Sequence, residues 1–545
     1  MALFDFAPRS SKTNDKALVK KSALPIIPKV ANLKLKNGTL ADRINNIRFL
    51  SEKHLGSKKD KFVCITQEQQ LKELIDLAIK NKELSIDTET TSLDPLTTTL
   101  AGVCLYTPGF RAAYIPVNHV NFITGVKLEG QLSAEFVKNE LRRYLDSKPN
   151  ENIMFNGDFD TRVLRHTLGI EFPCTWDDYI AARLMDENNE VNRLKPLYDK
   201  YVGKSEEQSM TFDELFHGVP FNLIPLDIAY LYAANDPLIT YELYQFQKPY
   251  LTPGTDLCKE YTLEGVAWVF RNIEMAVLPY VGEMEDTGVA IDLELQKTLS
   301  VEYNKKLKEV EEKFYEALQD YQDEIKEYRY SQGSACKLPE KINIASPVQL
   351  ATLFYDALHI KAVSKKEPRG TGEKILSQMD HPLAKIVLEY RGLAKLISTY
   401  IDKLLDNVNP KTGRIHCRFN QLGAKTGRFS SNDPNLQNIP SHNKDIRKMF
   451  KATDGYYMIS ADYSAQEPRL TVHLAHDKVG IQAYLDNKDL YAEIASLAFE
   501  KPYTECLEFR PDGTTNPEGK ERRSRAKAIF LGKPIGKCPY MQKCI

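Results

Sequence analysis

The spacing of hydrophobic and polar residues alternates between strand-like and helical along the first part of this chain, and the pattern changes near residue 251. Between residues 62 and 251, short apolar runs typical of strands alternate with stretches of helical spacing. The strand-like runs are residues 62–66, 84–87, 102–106 and 113–116, and the helical stretches are residues 67–80, 133–145 and 162–168. This alternation predicts an α/β domain with a mixed central sheet.

The second part of the chain follows a turn-rich joint, Leu-Thr-Pro-Gly-Thr at residues 251–255. Two long helical stretches come next, at residues 264–286 and 293–329, and the second carries charges on its outer faces. Strand-like runs return from residue 414, and helical patterns follow them to the end. The joint therefore predicts a boundary between a first domain, residues 62–250, and a second region, residues 251–545.

The start of the chain is basic. Its first 62 residues hold 14 Lys or Arg against 5 Asp or Glu, and Pro25 and Pro28 break its short apolar clusters. This composition predicts a loosely ordered arm over residues 1–61. Such an arm is either a solvated tail or a contact for DNA or a partner.

Composition limits the class of protein. A length of 545 residues suggests two to four domains, and 42% hydrophobic and 27% charged residues are ordinary for a globular protein. No apolar run reaches the roughly 18–20 residues that span a bilayer, and the first residues do not resemble a secretory signal. The chain has nine cysteines and no CxxC pair, which favours a reducing, intracellular environment. We expect a cytoplasmic protein of a bacterial or phage-infected cell, neither secreted nor membrane-bound.

Acidic residues end one strand-like run. Asp87 and Glu89 point to the same face of the strand because side chains alternate, and they repel each other unless a cation lies between them. Alone, this pair is weak evidence for a metal site, because solvated acidic loops are common. Two further pairs, Asn156 with Asp160 and Tyr232 with Asp236, have the spacing that places side chains on one helical face.

In this order, DxE, NxxxD and YxxxD over about 150 residues resemble the tyrosine type of the DEDD exonuclease superfamily. The resemblance implies an RNase H-like mixed sheet with flanking helices and 3′→5′ hydrolysis of DNA ends. It also assigns roles to individual residues. Two Mg²⁺ or Mn²⁺ ions would be held by Asp87, Glu89, Asp160 and Asp236. Tyr232 would orient the attacking water, and Thr91 and Leu93 would flank the terminal nucleotide.

Later segments resemble family A DNA polymerases. Residues 274–292, 343–350 and 391–400 are similar to thumb segments of that family. Thr-Gly-Arg-Phe-Ser-Ser at residues 426–431, followed by residues 435–440, is similar to the string that lies under the primer–template duplex. The resemblance implies DNA contacts by Arg428, Asn435, Gln437 and Asn438.

Residues 459–469 resemble polymerase motif A. By resemblance, Asp462, at the end of an apolar strand, binds the two catalytic metals, and Glu467 crowds the sugar 2′ position against ribonucleotides. Gln466 and Pro468 depart from the family pattern, which has an apolar residue and Leu there.

Two fingers segments follow. Residues 489–495 are similar to one of them, with Tyr491 where the family usually has His. Residues 522–536 resemble motif B, whose Arg523 and Lys527 lie on one helical stripe and would hold a dNTP triphosphate. The usual aromatic residues are absent at Leu531 and Ile535, and Pro534 should end the helix.

Together the resemblances imply an α/β exonuclease domain followed by an α+β partial polymerase hand. The helical thumb would cover about residues 260–410, a partial palm about 411–475 and partial fingers about 476–545. The HDE motif with the second metal-binding Asp of the family is absent from the sequence. We therefore expect a split, interrupted or frameshifted polymerase, completed by a second polypeptide, with residues after 532 marking the junction.

Three functions remain open at this point. The leading one is a DNA polymerase component that proofreads 3′ ends during DNA replication. The others are a stand-alone 3′→5′ exonuclease with RNase D-like chemistry and a non-catalytic subunit that holds primer–template. The thumb and motif A similarities disfavour the second, and the intact carboxylates disfavour the third.

Overall fold

The computed structural model describes residues 34–35, 38–189, 191–203, 212–216, 218–440 and 443–532. Most of the basic arm, residues 1–33, and the tail after Gly532, including Pro534 and Ile535, lie outside the described residues. The chain divides into two compact units, Met1–Asp454 and Gly455–Ile545.

Order begins earlier than the sequence analysis expected. Strands β1 (Lys34–Leu35) and β2 (Gly38–Thr39) pair antiparallel, and helix α1 (Leu40–Leu55) follows. A capping box starts this helix: the Thr39 hydroxyl accepts a hydrogen bond from the Asp42 N–H, and the Asp42 carboxylate accepts one from the Thr39 N–H. Leu40, Ile44 and Ile47 are buried at helical spacing. The prediction of a loosely ordered arm is therefore wrong for residues 38–61, because apolar side chains at this spacing are buried and, apart from the buried Arg43, the charged side chains of α1 are exposed.

A six-stranded mixed sheet forms the core of the first part of the chain. Its strands are β3 (Phe62–Cys64), β4 (Glu83–Thr90), β5 (Leu100–Tyr106), β6 (Ala112–Pro116), β7 (Glu151–Met154) and β8 (Trp176–Asp177). The spatial order is β3-β6-β5-β4-β7-β8; the β4–β5 and β5–β6 pairs are antiparallel and the others parallel. The central position of β4 places its end in the middle of the domain.

Helices cover both faces of this sheet. They are α2 (Glu68–Asn81), α3 (Ala134–Asp146), α4 (Asp158–Leu168), α5 (Asp178–Met185), α6 (Leu194–Tyr201), α7 (Phe212–Phe216), α8 (Leu226–Ala233) and α9 (Asn235–Gln247). One buried cluster includes Leu74, Leu141 and Val163, and a second on the other face includes Ile44, Phe216 and Tyr232. The first cluster continues past residue 251 to Phe270 and Leu278.

Long helices dominate the region after residue 251. The elements are α10 (Asp256–Glu260), α11 (Glu264–Val269), α12 (Met275–Thr287), α13 (Leu293–Ala317), α14 (Gln322–Gln332), α15 (Pro347–Ala351), α16 (Glu373–Leu376), α17 (Pro382–Leu396), α18 (Asp402–Leu405) and α19 (Lys444–Lys448). A π-helical turn, Phe270–Glu274, joins α11 to α12, and a 3₁₀ turn, Leu318–Tyr321, joins α13 to α14. Both predicted long helices are thus present but interrupted.

Two small sheets accompany these helices. Strand β9 (Val289–Ile291) lies between β10 (Arg414–Ile415) and β13 (Phe450–Lys451). Strands β11 (Arg418–Asn420) and β12 (Ser430–Asn432) pair antiparallel, and we call residues 418–432 the hairpin.

The second unit consists of helices α20 (Gln466–Leu474), α21 (Lys478–Leu485), α22 (Leu490–Phe499) and α23 (Pro517–Gly532). The strand expected before Asp462 is not formed: residues 456–463 have no regular structure, and Tyr457 and Ile459 are exposed. A strand needs a neighbour for its backbone hydrogen bonds, and no strand of the described residues pairs with this segment. No helix among the described residues is long and apolar enough to cross a membrane.

Candidate active site

Asp87 and Glu89 lie on the same face of β4, as the sequence predicts. Asp87 stands opposite Cys104 of β5 in the antiparallel register. A carboxylate oxygen of each acid and the Cys104 sulfur all lie within 4.8 Å of one another. Cys104 is fully buried and Glu89 is 8% exposed, so the acids sit at the edge of a dry interior.

Asp160 joins them from helix α4. Its Oδ1 accepts a 2.9 Å hydrogen bond from the backbone N–H of Thr88 and a 2.5 Å bond from the Thr88 hydroxyl. Burial raises the pKa of Asp160 to about 7, although the two Thr88 bonds act to lower it. The residue between Asp87 and Glu89 therefore fixes the third carboxylate.

Asn156 does not share a helical face with Asp160. The helix begins at Asp158, and Asn156 adopts a left-handed backbone conformation with φ 57° in the preceding turn. The buried Asp177 accepts hydrogen bonds from the N–H groups of Asn156 (3.1 Å) and Gly157 (2.8 Å). The one-helix prediction is wrong because a carboxylate distant in sequence holds this turn open.

Tyr232 and Asp236 lie on two successive helices rather than one. Helix α8 ends at Ala233 and α9 begins at Asn235, so Pro237 falls in a first turn, where its missing N–H costs no helical bond. Tyr232 is 8% exposed in the cluster that covers the second face of the sheet. The side chains still reach the same place, because the second helix starts where the first stops.

Lys195 is a site residue that the sequence analysis missed. Its ammonium lies 3.2 Å from Asp236 Oδ1 and 4.0 Å from the centre of the Tyr232 ring. Burial lowers the pKa of Lys195, but Asp236 and Tyr232 raise it more, so the side chain stays charged. Nothing in the sequence distinguishes this lysine from Lys200 one turn later, since only the fold brings α6 to the carboxylates.

The acids repel one another strongly. Burial raises the pKa of Asp87 well above its usual range, and the charges of Asp160, Glu89 and Asp236 raise it further. Burial and the charge of Asp236 likewise raise the pKa of Glu89. Carboxylate oxygens are hard ligands, and their excess negative charge here suits Mg²⁺ or Mn²⁺.

A cleft of about 550 Å³ opens over this cluster, lined in part by Asp87, Asp160 and Asp236. Leu93 also lines it and is 76% exposed. Thr91 lies in the same loop, and its hydroxyl accepts a 3.0 Å bond from the N–H of Thr99. The cleft therefore offers an apolar side chain that can contact a base, beside acidic groups that can receive its phosphate once cations neutralise them.

The hairpin forms another part of the cleft lining, through residues 418–422 and Asn432. The N–H of Phe419 donates a 2.5 Å bond to Oε1 of Glu285 on α12. The other oxygen of Glu285 pairs with the buried Arg162 on α4, whose Nε donates a 2.7 Å bond to Asp286. A chain of charged groups thus links the hairpin to the helix that carries Asp160.

The predicted duplex-contacting residues are exposed. Arg428 lies in the loop of the hairpin, and Asn435, Gln437 and Asn438 follow it. The side chain of Asn435 accepts bonds from the N–H groups of Gln437 (3.1 Å) and Asn438 (3.2 Å), which shapes a tight turn. This surface can present donors to a nucleic-acid backbone.

Three of the four predicted nucleotide-binding residues are close together in the second unit. Tyr491 lies 5.4 Å from the guanidinium carbon of Arg523 and 5.7 Å from Nζ of Lys527, measured to its ring centre. Arg523 also donates a 2.7 Å bond to Asp489. Glu467 is in the first turn of α20, and Asp462 is exposed in the irregular segment before it.

This chain is similar in sequence to two known protein families and to bacterial DNA polymerases. Residues 62–251 match the family model for 3′-5′ exonuclease, and residues 304–536 match that for DNA polymerase family A. DNA polymerase I of Borreliella burgdorferi is 31% identical over 81% of this chain and 44% of its own length. That of Synechocystis is 32% identical over 80% of this chain and 42% of its own length. The chain thus spans less than half the length of these relatives.

A solved structure supports the fold. The POL domain of Pol1 from M. smegmatis, in complex with DNA primer-template and dNTP, matches 86% of this chain and 71% of that domain with a TM-score of 0.63 and 22% identity. The fold class expected from the sequence, an α/β domain followed by a partial polymerase hand, is confirmed. The residue roles and inner domain boundaries stay predictions.

Proposed function

Because the chain belongs to DNA polymerase family A, we propose that it is a polymerase component that removes nucleotides from DNA 3′ ends. The observation that carries the proposal is that Asp87, Asp160 and Asp236 line one cleft and that Glu89 lies beside Asp87. The location would be the cytoplasm of a bacterial or phage-infected cell.

Divalent cations, Mg²⁺ or Mn²⁺, would be held by these four carboxylates. When bound, two such ions activate water and neutralise charge that develops on the phosphate. In the proposed hydrolysis, a water oxygen bonds to the last phosphorus and the bond from phosphorus to the 3′ oxygen breaks. That 3′ oxygen takes a proton, so the products are a nucleoside monophosphate and a shortened strand.

The chain's own residues supply position and charge. Tyr232 would orient the attacking water through its hydroxyl, and Lys195 holds both Tyr232 and Asp236 in place. Thr88 fixes Asp160, and Thr91 and Leu93 would flank the terminal nucleotide. Burial of the cluster strengthens each of these electrostatic contacts, because the local dielectric is low.

The polymerase half would bind primer–template and dNTP. Arg428, Asn435, Gln437 and Asn438 would contact the duplex, while Tyr491, Arg523 and Lys527 would hold the triphosphate and Glu467 would sense the sugar. Asp462 would be one of the two metal-binding acids that nucleotidyl transfer requires. We propose that the second acid comes from a further segment that pairs with residues 456–463, for example on a second polypeptide.

The nuclease is tested with a labelled single-stranded DNA oligonucleotide and Mg²⁺. We expect stepwise shortening from the 3′ end, and Asp87→Ala should abolish it. Trimming that survives in the variant would come from a contaminant and would refute the assignment. Failure of the wild type to trim would instead favour the non-catalytic subunit.

Primer extension tests the second half. The chain alone should not extend a primer, whereas mixing it with a fragment that carries the missing acid should restore synthesis. Extension by this chain alone would contradict the proposal. A stand-alone exonuclease would show no affinity for primer–template above that for single strands.

A further inference from the structure

Arg418 occupies a place in the cleft that no predicted role explains. It is the first residue of β11, outside residues 62–251, yet its side chain lines the cleft together with Asp87 and Asp160. Its guanidinium donates a hydrogen bond to the backbone carbonyl of Leu93, and its side chain remains exposed. A cation from the polymerase region therefore lies beside the residue expected to flank the terminal nucleotide.

The charge of the cleft creates a need for such a cation. Its lining contains six carboxylates, namely Asp87, Asp158, Asp160, Asp177, Asp236 and Glu285, and three arginines, Arg162, Arg193 and Arg418. Arg162 is buried and already paired with Glu285 and Asp286. In the metal-free cleft the carboxylates outnumber the arginines and repel a polyanionic strand, so an exposed guanidinium group on the lining has a large effect on DNA binding.

The hairpin holds Arg418 in a fixed position. Phe419 is bonded to Glu285, the side chain of Gln421 donates a 3.0 Å bond to the Glu274 carbonyl, and Arg183 donates a 3.1 Å bond to the Leu422 carbonyl. These contacts fix the cleft-lining stretch that directly follows Arg418. A preorganised guanidinium makes stronger, charge-assisted bonds to phosphate because less entropy is lost on binding.

We propose that Arg418 binds a backbone phosphate of the single-stranded 3′ end, beside the nucleotide that contacts Leu93. This inference rests on the proposed nuclease function and adds a binding residue from the polymerase half. Arg418 positions the strand and takes no part in bond breaking. Its loss should therefore weaken binding and leave the chemical step unchanged.

The test uses the full chain and a single-stranded oligonucleotide. In Arg418→Gln, which keeps an N–H donor for the Leu93 carbonyl but removes the charge, KM for trimming should rise about tenfold, the effect of one charge-assisted hydrogen bond. The kcat should stay near the wild-type value. Binding in an Asp87→Ala background should weaken equally, and the slope of log affinity against log salt should shrink by about 0.7.

Lys411→Gln is the matched control. Lys411 donates a 2.9 Å bond to the Leu96 carbonyl in the same loop but does not line the cleft. It should bind and trim like the wild type, and Arg418→Lys should recover part of the affinity. Equal weakening by Lys411→Gln, or an unchanged salt slope in Arg418→Gln, would overturn the inference while wild-type trimming still supported the nuclease.

Discussion

Asp160 and Thr88 are joined by two hydrogen bonds to one carboxylate oxygen, from the Thr88 hydroxyl at 2.5 Å and its N–H at 2.9 Å. Thr88 is the residue between Asp87 and Glu89. The strand that carries two acids therefore sets the position of the third, which comes from a helix 72 residues further along the chain.

Thr88→Val tests this relationship. It removes the hydroxyl but preserves shape, so Asp160 should keep one bond and lose orientation. We expect the trimming rate or Mn²⁺ affinity to fall about 10-fold or more, as for other groups that orient metal ligands. Thr88→Ser should restore both. Wild-type rates and affinity in the valine variant would show that the hydroxyl bond is unimportant.

Lys195→Met tests whether the lysine ammonium and a bound metal ion both stabilise the buried carboxylates. Without the ammonium, the buried carboxylates of the metal-free protein lose a compensating charge, so the free energy of unfolding should fall by about 3–5 kcal/mol. Mn²⁺ should then raise the melting temperature more than in the wild type. Melting curves in EDTA and in Mn²⁺ measure both effects, and equal metal-induced shifts would contradict the prediction.

Arg162→Met should destabilise the contact between α4 and α12. Removing one partner of a buried ion pair costs about 3–5 kcal/mol because the other charge stays buried. Adding Glu285→Gln should cost much less than the sum of the two single changes. Urea unfolding, followed by the fluorescence of the buried Trp176, measures the free energy of unfolding of the two single variants and the double variant. Additive losses of this free energy would argue against direct coupling of Arg162 and Glu285.

His119 should make the protein sensitive to acid. It is fully buried between the Tyr114 hydroxyl (2.5 Å) and the Ile224 carbonyl (2.8 Å), and burial lowers its pKa from 6.5 to about 4. The neutral ring is thus favoured in the folded protein. The stability from this residue, about 3 kcal/mol, is complete above pH 6.5 and is lost as pH falls towards 4. His119→Gln should flatten the pH dependence of the melting temperature in this window.

Arg428→Ala should distinguish the proposed primer–template surface from the proposed nuclease site. Loss of one phosphate contact should weaken primer–template binding about fivefold or more. Trimming of short single strands should not change, because Arg428 does not line the cleft that contains the proposed nuclease site. Lys72→Ala, on α2, serves as the charge control. Equal loss with both substrates would mean that one surface binds both.

The sequence predicted the parts of the site that depend on short-range geometry. The common face of Asp87 and Glu89 follows from strand alternation, and the mixed sheet follows from the alternating strands and helices. The same reasoning failed where helices begin and end, as at Asn156 and Tyr232. There, distant groups such as Asp177 decide the backbone, and spacing alone does not reveal them.

The positions of Lys195 and Arg418 at the cleft could not be predicted from the sequence for a different reason. Each is one basic residue among many in the sequence, and each reaches the cleft only through tertiary contacts. Helix α1 shows the converse error, since a high density of charge obscured the buried stripe of Leu40, Ile44 and Ile47. Net charge describes the solvent side of such a helix and says little about its inner side.

Part of the cleft lining, including Leu278, Val281, Glu285 and Arg418, comes from beyond residue 251. A chimera that grafts residues 62–251 onto another protein would transfer the four predicted metal-binding carboxylates but would omit this part of the cleft lining. Such a graft would expose its acids to bulk water and lose the apolar support that α12 gives to α4. Transfer of the proposed nuclease site to another protein therefore requires α12 and residues 418–432 in addition to residues 62–251.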